Sequence, residues 1–190
     1  MTELTEIRWH GRGGQGAVTA SEILAEAALH EGKYFQAFPD YGPERMGAPI
    51  RAYTRISTAP IRQHCQVTQP DVVVVLDPTL IKVIDFTDGL KDDGVVIVNT
   101  KQSPSELRKE ISFDHGRLFI VDATRIAMET IGKNFPNTPI VGALVKATGV
   151  VGKDAVLEEI KRRMGTKVSE KLVKANMAAF ERAYNEVKEG

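Results

Sequence analysis

Three glycines, Gly11, Gly13 and Gly16, fall at the spacing G-x-G-x-x-G within the stretch EIRWHGRGGQGAVTASEILAEAA. Residues without a β-carbon let the backbone turn tightly and approach a ligand. The amides freed by such a turn, with the positive end of a following helix, attract an anion. Phosphate or carboxylate binding is therefore the chemistry this pattern predicts, and the alternative is a tight turn that holds nothing. Arg12, Gly14 and Gln15 fill the intervening positions, so a guanidinium and a side-chain amide stand ready for the same anion. A dinucleotide would require more: an acidic residue ending the second strand, about 20 residues on, to accept the ribose hydroxyls. Asp40 is the nearest, but it stands between Pro39 and Tyr41 where a loop begins, which argues against that role.

Other reactive side chains form no constellation. His10 precedes the turn and titrates near neutrality, yet at a strand end it reads as a packed, hydrogen-bonded residue. Ser21 and Thr19 have no histidine and carboxylate arranged around them, and the four histidines, at 10, 30, 64 and 115, lack metal-ligand spacing. Cys65 is the sole cysteine, which excludes an internal disulfide and cannot by itself ligate an iron–sulfur cluster.

The elements that must position the turn follow from hydrophobic period. Ile7 to Gly11 reads as a strand, and Val18, Ile23, Leu24 and Ala27 recur at helical spacing until Gly32. KYFQAF gives a short second strand, after which Pro39 to Pro49 carries too much proline and glycine to be anything but a loop. From Ile50 to Ser57 the residues alternate, with Arg51, Tyr53 and Arg55 on one face. DVVVVLD, VVIVNT and LFIVDAT are apolar throughout, as strands of a parallel sheet covered on both faces must be. Thr79 to Asp85 reads as a short helix, and SPSE at Ser103 to Glu106 as a capping box with proline at the first helical position. Further helices start at Thr138 and Asp154. Val173, Met177, Phe180, Tyr184 and Val187 form a stripe that packs a last helix onto its own domain rather than into a coiled coil. The sum is an α/β, Rossmann-like fold: a mostly parallel sheet covered by helices, with a local antiparallel excursion near Arg51 and C-terminal helices.

The 190 residues suit one domain over positions 1–190. Lysine plus arginine and aspartate plus glutamate each number 25, so no global field draws the chain to nucleic acid or to an anionic membrane. The charged start MTELTEIRWH lacks a signal-peptide core and VVVVL is too short to span a bilayer, so a cytoplasmic location is expected.

The stretches RWHGRGGQGAVTASEILAEAA, QAFPDYGPERMGAPIRAYTRIS, PDVVVVLD and NTPIVGALVKATG, in that order, strongly resemble the gamma subunit of the pyruvate:ferredoxin oxidoreductase family, the 2-oxoacid:acceptor oxidoreductases, from Ile7 to about Tyr184. The resemblance implies a complex that oxidatively decarboxylates a 2-oxoacid, pyruvate in the commonest case, to an acyl-CoA and passes electrons to ferredoxin. It places thiamine diphosphate with magnesium on alpha and beta partners and [4Fe-4S] clusters on a ferredoxin-like delta partner. This chain carries no catalytic residue of its own, and no G-D-G with later paired asparagines; DDGVVIVNT is only a superficial echo.

For gamma it implies a bracing role, to which the turn adds an expected contact with the phosphate-rich coenzyme A through Gly11, Arg12, Gly13, Gly14, Gln15 and Gly16. The loop at Tyr41, Pro43, Glu44, Arg45, Met46 and Gly47 is expected to meet a partner, since two prolines stiffen it and tyrosine and arginine are enriched at interface hot spots. Arg45 and Arg51 either join the anion site or pair with a neighbouring subunit's carboxylates, the second being favoured for Arg51. Competing readings are the same role with phenylglyoxylate or a branched-chain 2-oxoacid and NAD as final acceptor, or a free-standing NAD(P) oxidoreductase.

Overall fold

A computed structural model of the protein describes residues 4–40, 47–165 and 167–190. The first strand, β1 (Leu4–Arg12), runs into the glycine turn, and α1 (Ala17–Leu29) leaves it. β2 (Tyr34–Asp40) and β3 (Pro49–Ser57) follow as an antiparallel pair, and β3 lies antiparallel against β1. β4 (Val72–Val75), β5 (Val95–Asn99) and β6 (Arg117–Val121) then add in parallel on the other side of β1. The resulting seven-stranded order is β2-β3-β1-β4-β5-β6-β7, where the two-residue β7 (Lys188–Glu189) closes the far edge antiparallel to β6. The expected parallel core with an antiparallel excursion is therefore present, with a second excursion at the C-terminus.

Alternation of side chains explains why both faces need cover. Ile7, Trp9, Val72 and Val74 point into the larger core, Val73 and Val75 into the smaller one. The larger core lies under α1, α3 (Ala123–Thr130), α4 (Asn137–Thr148), α5 (Lys153–Met164) and α6 (Glu170–Glu186). The smaller lies under α2 (Pro104–Ile111) and a 3-10 helix at Pro78–Lys82, which contribute Leu107 and Leu80. The C-terminal stripe packs inward as read: Phe180 is fully buried and Val173 nearly so, while Met177 and Tyr184 line the core's edge. α4 and α6 approach so closely that a β-carbon on Gly142 would stand 2.2 Å from the Phe180 carbonyl oxygen. No helix among the described residues is long and apolar enough to cross a membrane.

Several boundaries differ from the sequence reading for physical reasons. β2 runs through Pro39 and Asp40, where the proline and glycine content predicts loop; at a sheet edge the outer side of the strand has no ladder partner among the described residues, so a residue without an N–H does no harm. The strand in LFIVDAT stops at Val121, because the Asp122 carboxylate accepts the Arg125 N–H and caps α3, a helix not anticipated. The helix read from Thr79 to Asp85 is instead the short 3-10 turn. The Ser103–Glu106 capping box is present in full.

Candidate functional site at the glycine turn

Parallel strands whose following segments leave to opposite faces part at their carboxyl ends and form a crevice where open α/β sheets bind ligands. β1 and β4 do this: α1 departs to the larger core, and the 3-10 helix after β4 departs to the smaller. The glycine turn and the end of DVVVVLD therefore meet. Asp77 stands at their junction. One oxygen lies 3.1 Å from Arg12 Nε and accepts the Gln15 side-chain amide at 2.6 Å. The other accepts the Thr79 N–H at 2.8 Å and hydroxyl at 2.7 Å. Arg12 also donates to the Thr79 hydroxyl (2.9 Å from Nη2) and to the Gly47 carbonyl (3.1 Å from Nη1), while Gln15 Oε1 accepts the Arg12 backbone N–H at 2.8 Å. Burial opposes ionisation of Asp77, but the Thr79 and Gln15 bonds and Arg12 outweigh it and hold its carboxyl below the usual range.

Arg12 and Gln15 thus brace the turn from within. The Gly13 N–H donates to Ala48 O and the Gln15 N–H to Arg12 O, both at 3.1 Å. The N–H groups of Gly14 and Gly16 donate to no acceptor among the described residues. Both glycines sit at positive φ, 92° and 80°, where a side chain is strained. α1 begins with no side-chain cap and no acidic residue in its first turn. α4 also begins without a side-chain cap, and its Asn137 packs directly on Gly16. Two helix N-termini therefore converge on this glycine, each with unmet amides and the positive end of its dipole. Such an arrangement can hold an anion. Gly11 packs against Ala17 and lets α1 lie close on β1.

The acidic residue that a dinucleotide requires is not placed for that role among the described residues. Asp40 does end β2, but β3 runs antiparallel between that strand and β1, so Asp40 is not at the tip of a parallel neighbour. It accepts the Tyr53 hydroxyl at 3.0 Å and lies 3.6 Å from Arg51 Nε, which leaves Arg51 half-exposed and paired within its own chain. Tyr41, Pro43, Glu44, Arg45 and Met46 lie outside the described residues.

Beneath the turn, His10 and Arg8 share the face of β1 opposite Trp9 and are both buried. Arg8 donates from Nε to His10 Nε2 (3.1 Å) and from Nη2 to the carbonyls of Phe86 (3.0 Å) and Asp88 (2.5 Å). Burial, then the charges of Arg8 and Arg51, push the imidazole down to about 3, so His10 is neutral and its Nδ1 carries the proton. That Nδ1 has no hydrogen-bond partner among the described residues. Ser21 donates to Val18 O in its own helix. Cys65 is exposed, 3.8 Å from Arg55 Nη2. Among the described residues no group of three or more His, Cys, Asp or Glu is placed to hold a metal. Asp77 escaped the sequence reading, although D-P-T directly after a buried strand is the signal of a capped turn.

The family profile described as pyruvate ferredoxin/flavodoxin oxidoreductase matches residues 6–186. The "pyruvate/ketoisovalerate oxidoreductases common subunit gamma" of Pyrococcus abyssi is 54% identical over 179 residues, spanning 94% of this chain and 97% of that one. The "pyruvate synthase subunit PorC" of Thermotoga maritima is 49% identical over 183 residues, 96% of this chain and 94% of its own length. The crystal structure of pyruvate oxidoreductase subunit PORC from Thermotoga maritima aligns with a TM-score of 0.87 at 45% identity, over 99% of each chain.

Proposed function

The chain belongs to the pyruvate ferredoxin/flavodoxin oxidoreductase family, and from that premise we propose that it is the gamma subunit of a multi-subunit 2-oxoacid:acceptor oxidoreductase in the cytoplasm. It braces alpha, beta and delta partners that carry thiamine diphosphate with magnesium and the [4Fe-4S] clusters, and its complex converts pyruvate to acetyl-CoA with ferredoxin as acceptor. Pyruvate is favoured because two close relatives carry it in their names; a branched-chain 2-oxoacid comes second, since one of those names joins pyruvate with ketoisovalerate.

Within that role the glycine turn takes a phosphate of coenzyme A as the cofactor passes between subunits. The observation that carries this is the convergence of the uncapped N-termini of α1 and α4 on Gly16, with the Gly14 and Gly16 amides free to donate. Arg12 acts by keeping the turn in shape through Asp77, and contact with the partners falls to the half-exposed Arg51 and to Tyr41, Pro43, Glu44 and Arg45. The test is the Arg12→Ala complex, reconstituted and assayed with pyruvate and ferredoxin. The apparent KM for coenzyme A should rise about tenfold, equivalent to about 1.4 kcal/mol, as the turn amides lose the geometry that Arg12 holds through Asp77, or the yield of assembled complex should fall. An unchanged KM with an unchanged yield refutes the proposal, and so does turnover of a 2-oxoacid, or tight NAD(H) binding, by the isolated chain.

A further inference from the structure

The two edges of the sheet are finished differently. At one, β7 is two residues long, both charged and exposed, and Glu189 is paired with Arg117 at 2.7 Å. Shortness and charge are the ordinary means by which a protein keeps an edge from pairing with another strand. At the other edge β2 runs for seven residues, and from Tyr34 to Phe38 it carries no charge. Tyr34, which opens the strand, is 48% exposed, and Leu29, which ends α1 just before it in the chain, is 62% exposed. One edge is thus guarded and the other is left ready to pair.

The free groups along β2 follow from its register. Antiparallel pairs alternate between those that exchange hydrogen bonds and those whose N–H and C=O point to the outer sides. Pro39, opposite Ala52, has no N–H, so it stands in a pair of the second kind. Phe35 and Ala37 share its phase. Their N–H and C=O groups therefore face away from β3, and they bond to nothing among the described residues. Side chains alternate as well: Phe35 packs on the larger core, while Tyr34, Gln36 and Phe38 lie on the opposite face, where the Phe38 ring stands 5.2 Å from that of Tyr53.

This edge is complementary to itself. Laid antiparallel about a two-fold axis at Gln36, two copies bring Phe35 of one opposite Ala37 of the other, and each such pair exchanges N–H···O=C bonds in both directions. The pairing ends at Pro39, which has no N–H to give, opposite Lys33, whose N–H already donates to the Ala28 carbonyl at 3.1 Å. On the face away from the larger core Tyr34 meets Phe38 of the other copy, an aromatic cross-strand pair, and no charge stands against a like charge. Lys33 of each copy comes beside Asp40 of the other, whereas parallel pairing in register would set lysine against lysine and aspartate against aspartate.

We propose that the β2 edge pairs with the β2 edge of a second copy of this chain, joining two sheets into one across a two-fold axis at Gln36. The pairing uses no group of the glycine turn and does not depend on the role assigned to it. Sedimentation of the full chain should show a dimer. Ala37→Pro removes an outward N–H that β3 does not use, as Pro39 already does, so the variant should keep its melting temperature. Its dimer dissociation constant should nevertheless rise about tenfold or more, because each copy loses a bond to the other. Gln36→Cys, in a Cys65→Ser background, reports the register. Residues opposite one another in a pair without hydrogen bonds have Cα atoms about 4.5 Å apart, within reach of a disulfide. Mild oxidation should therefore link the two copies, in the isolated chain and in the assembled complex, while Phe38→Cys in the same background, which faces Tyr34, should not link. The proposal is overturned if the chain is a monomer at submillimolar concentration, if Ala37→Pro leaves the dimer as tight, or if Gln36→Cys does not cross-link. It is also overturned if the Phe35 and Ala37 amides exchange freely in the isolated chain and are protected only in the complex, which assigns the edge to a strand of a different subunit.

Discussion

Acid should weaken this protein through one buried ring. His10 is 3% exposed, sits beside the buried Arg8 guanidinium, and is held neutral with its pKa near 3 rather than the usual 6.5. In the unfolded chain the ring protonates at about 6.5, so between pH 6.5 and 3 the unfolded state binds the extra proton. The folded pKa is depressed, so the stability this ring contributes is complete above 6.5 and is lost progressively as pH falls toward 3. Each pH unit in that window costs about 1.4 kcal/mol, which makes the loss between pH 7 and pH 5 about 2 kcal/mol from this residue alone. The perturbation that isolates it is His10→Gln, since glutamine offers an amide oxygen to Arg8 and cannot titrate. Urea denaturation of both proteins at pH 7 and pH 5 measures the difference; His30, His64 and His115 contribute equally to both and cancel. The variant should lose about 2 kcal/mol less than the parent over that interval, whatever its stability at pH 7. Parallel losses in the two proteins, or a His10 imidazole that titrates near 6.5 by NMR, would refute the reasoning.

Three further substitutions test the packing at the turn and between α1 and α5. Gly16→Ala and Gly14→Ala both place a side chain at positive φ, which costs about 1–2 kcal/mol, but a new β-carbon at Gly16 meets Asn137 at 2.9 Å whereas at Gly14 it meets nothing within 4 Å. Gly16→Ala should therefore be the more destabilising by about 1 kcal/mol in chemical denaturation, and equal values would mean α4 does not press on the turn. Glu159 is fully buried between α1 and α5, accepting Arg162 Nε at 2.7 Å and lying 3.0 Å from His30 Nε2. Glu159→Gln should lower stability by about 2 kcal/mol, near the low end for charge-assisted bonds because Arg162 is largely exposed; a loss below 0.5 kcal/mol by thermal or urea melting would show that the bonds are idle.

What could be read in the sequence was whatever repeats along it. The four-valine run of β4, the alternation of β3 and the Ser103–Glu106 box each announce themselves within a few residues, and each is where it was expected. α3 escaped because eight residues carry barely two turns of periodicity, and its cap Asp122 falls inside the stretch LFIVDAT that reads as strand. β7 escaped because two exposed residues are too few to show any side-chain period, and Glu189, which pairs with Arg117 of β6 at 2.7 Å, stands 72 positions from it.

The harder loss concerns meaning rather than shape. Alternation puts Arg51, Tyr53 and Arg55 on one face of β3, with two cations on that side and a partner contact expected for Arg51. Only Arg51 stands in the open. Arg55 and Tyr53 are about 1% exposed, with Arg55 pairing Glu6 at 2.8 Å and reaching Cys65, and with Gln36 at its other side. The glycine turn shows the same limit. Arg12 inside it promised a direct hold on an anion, but that depended on a carboxylate 65 positions later, which no local spacing relates to it. Charge alternation says which side chains share a face, and only the folded arrangement says which of them remain unpaired. By that criterion the donors at the turn with no acceptor among the described residues are the backbone amides of Gly14 and Gly16.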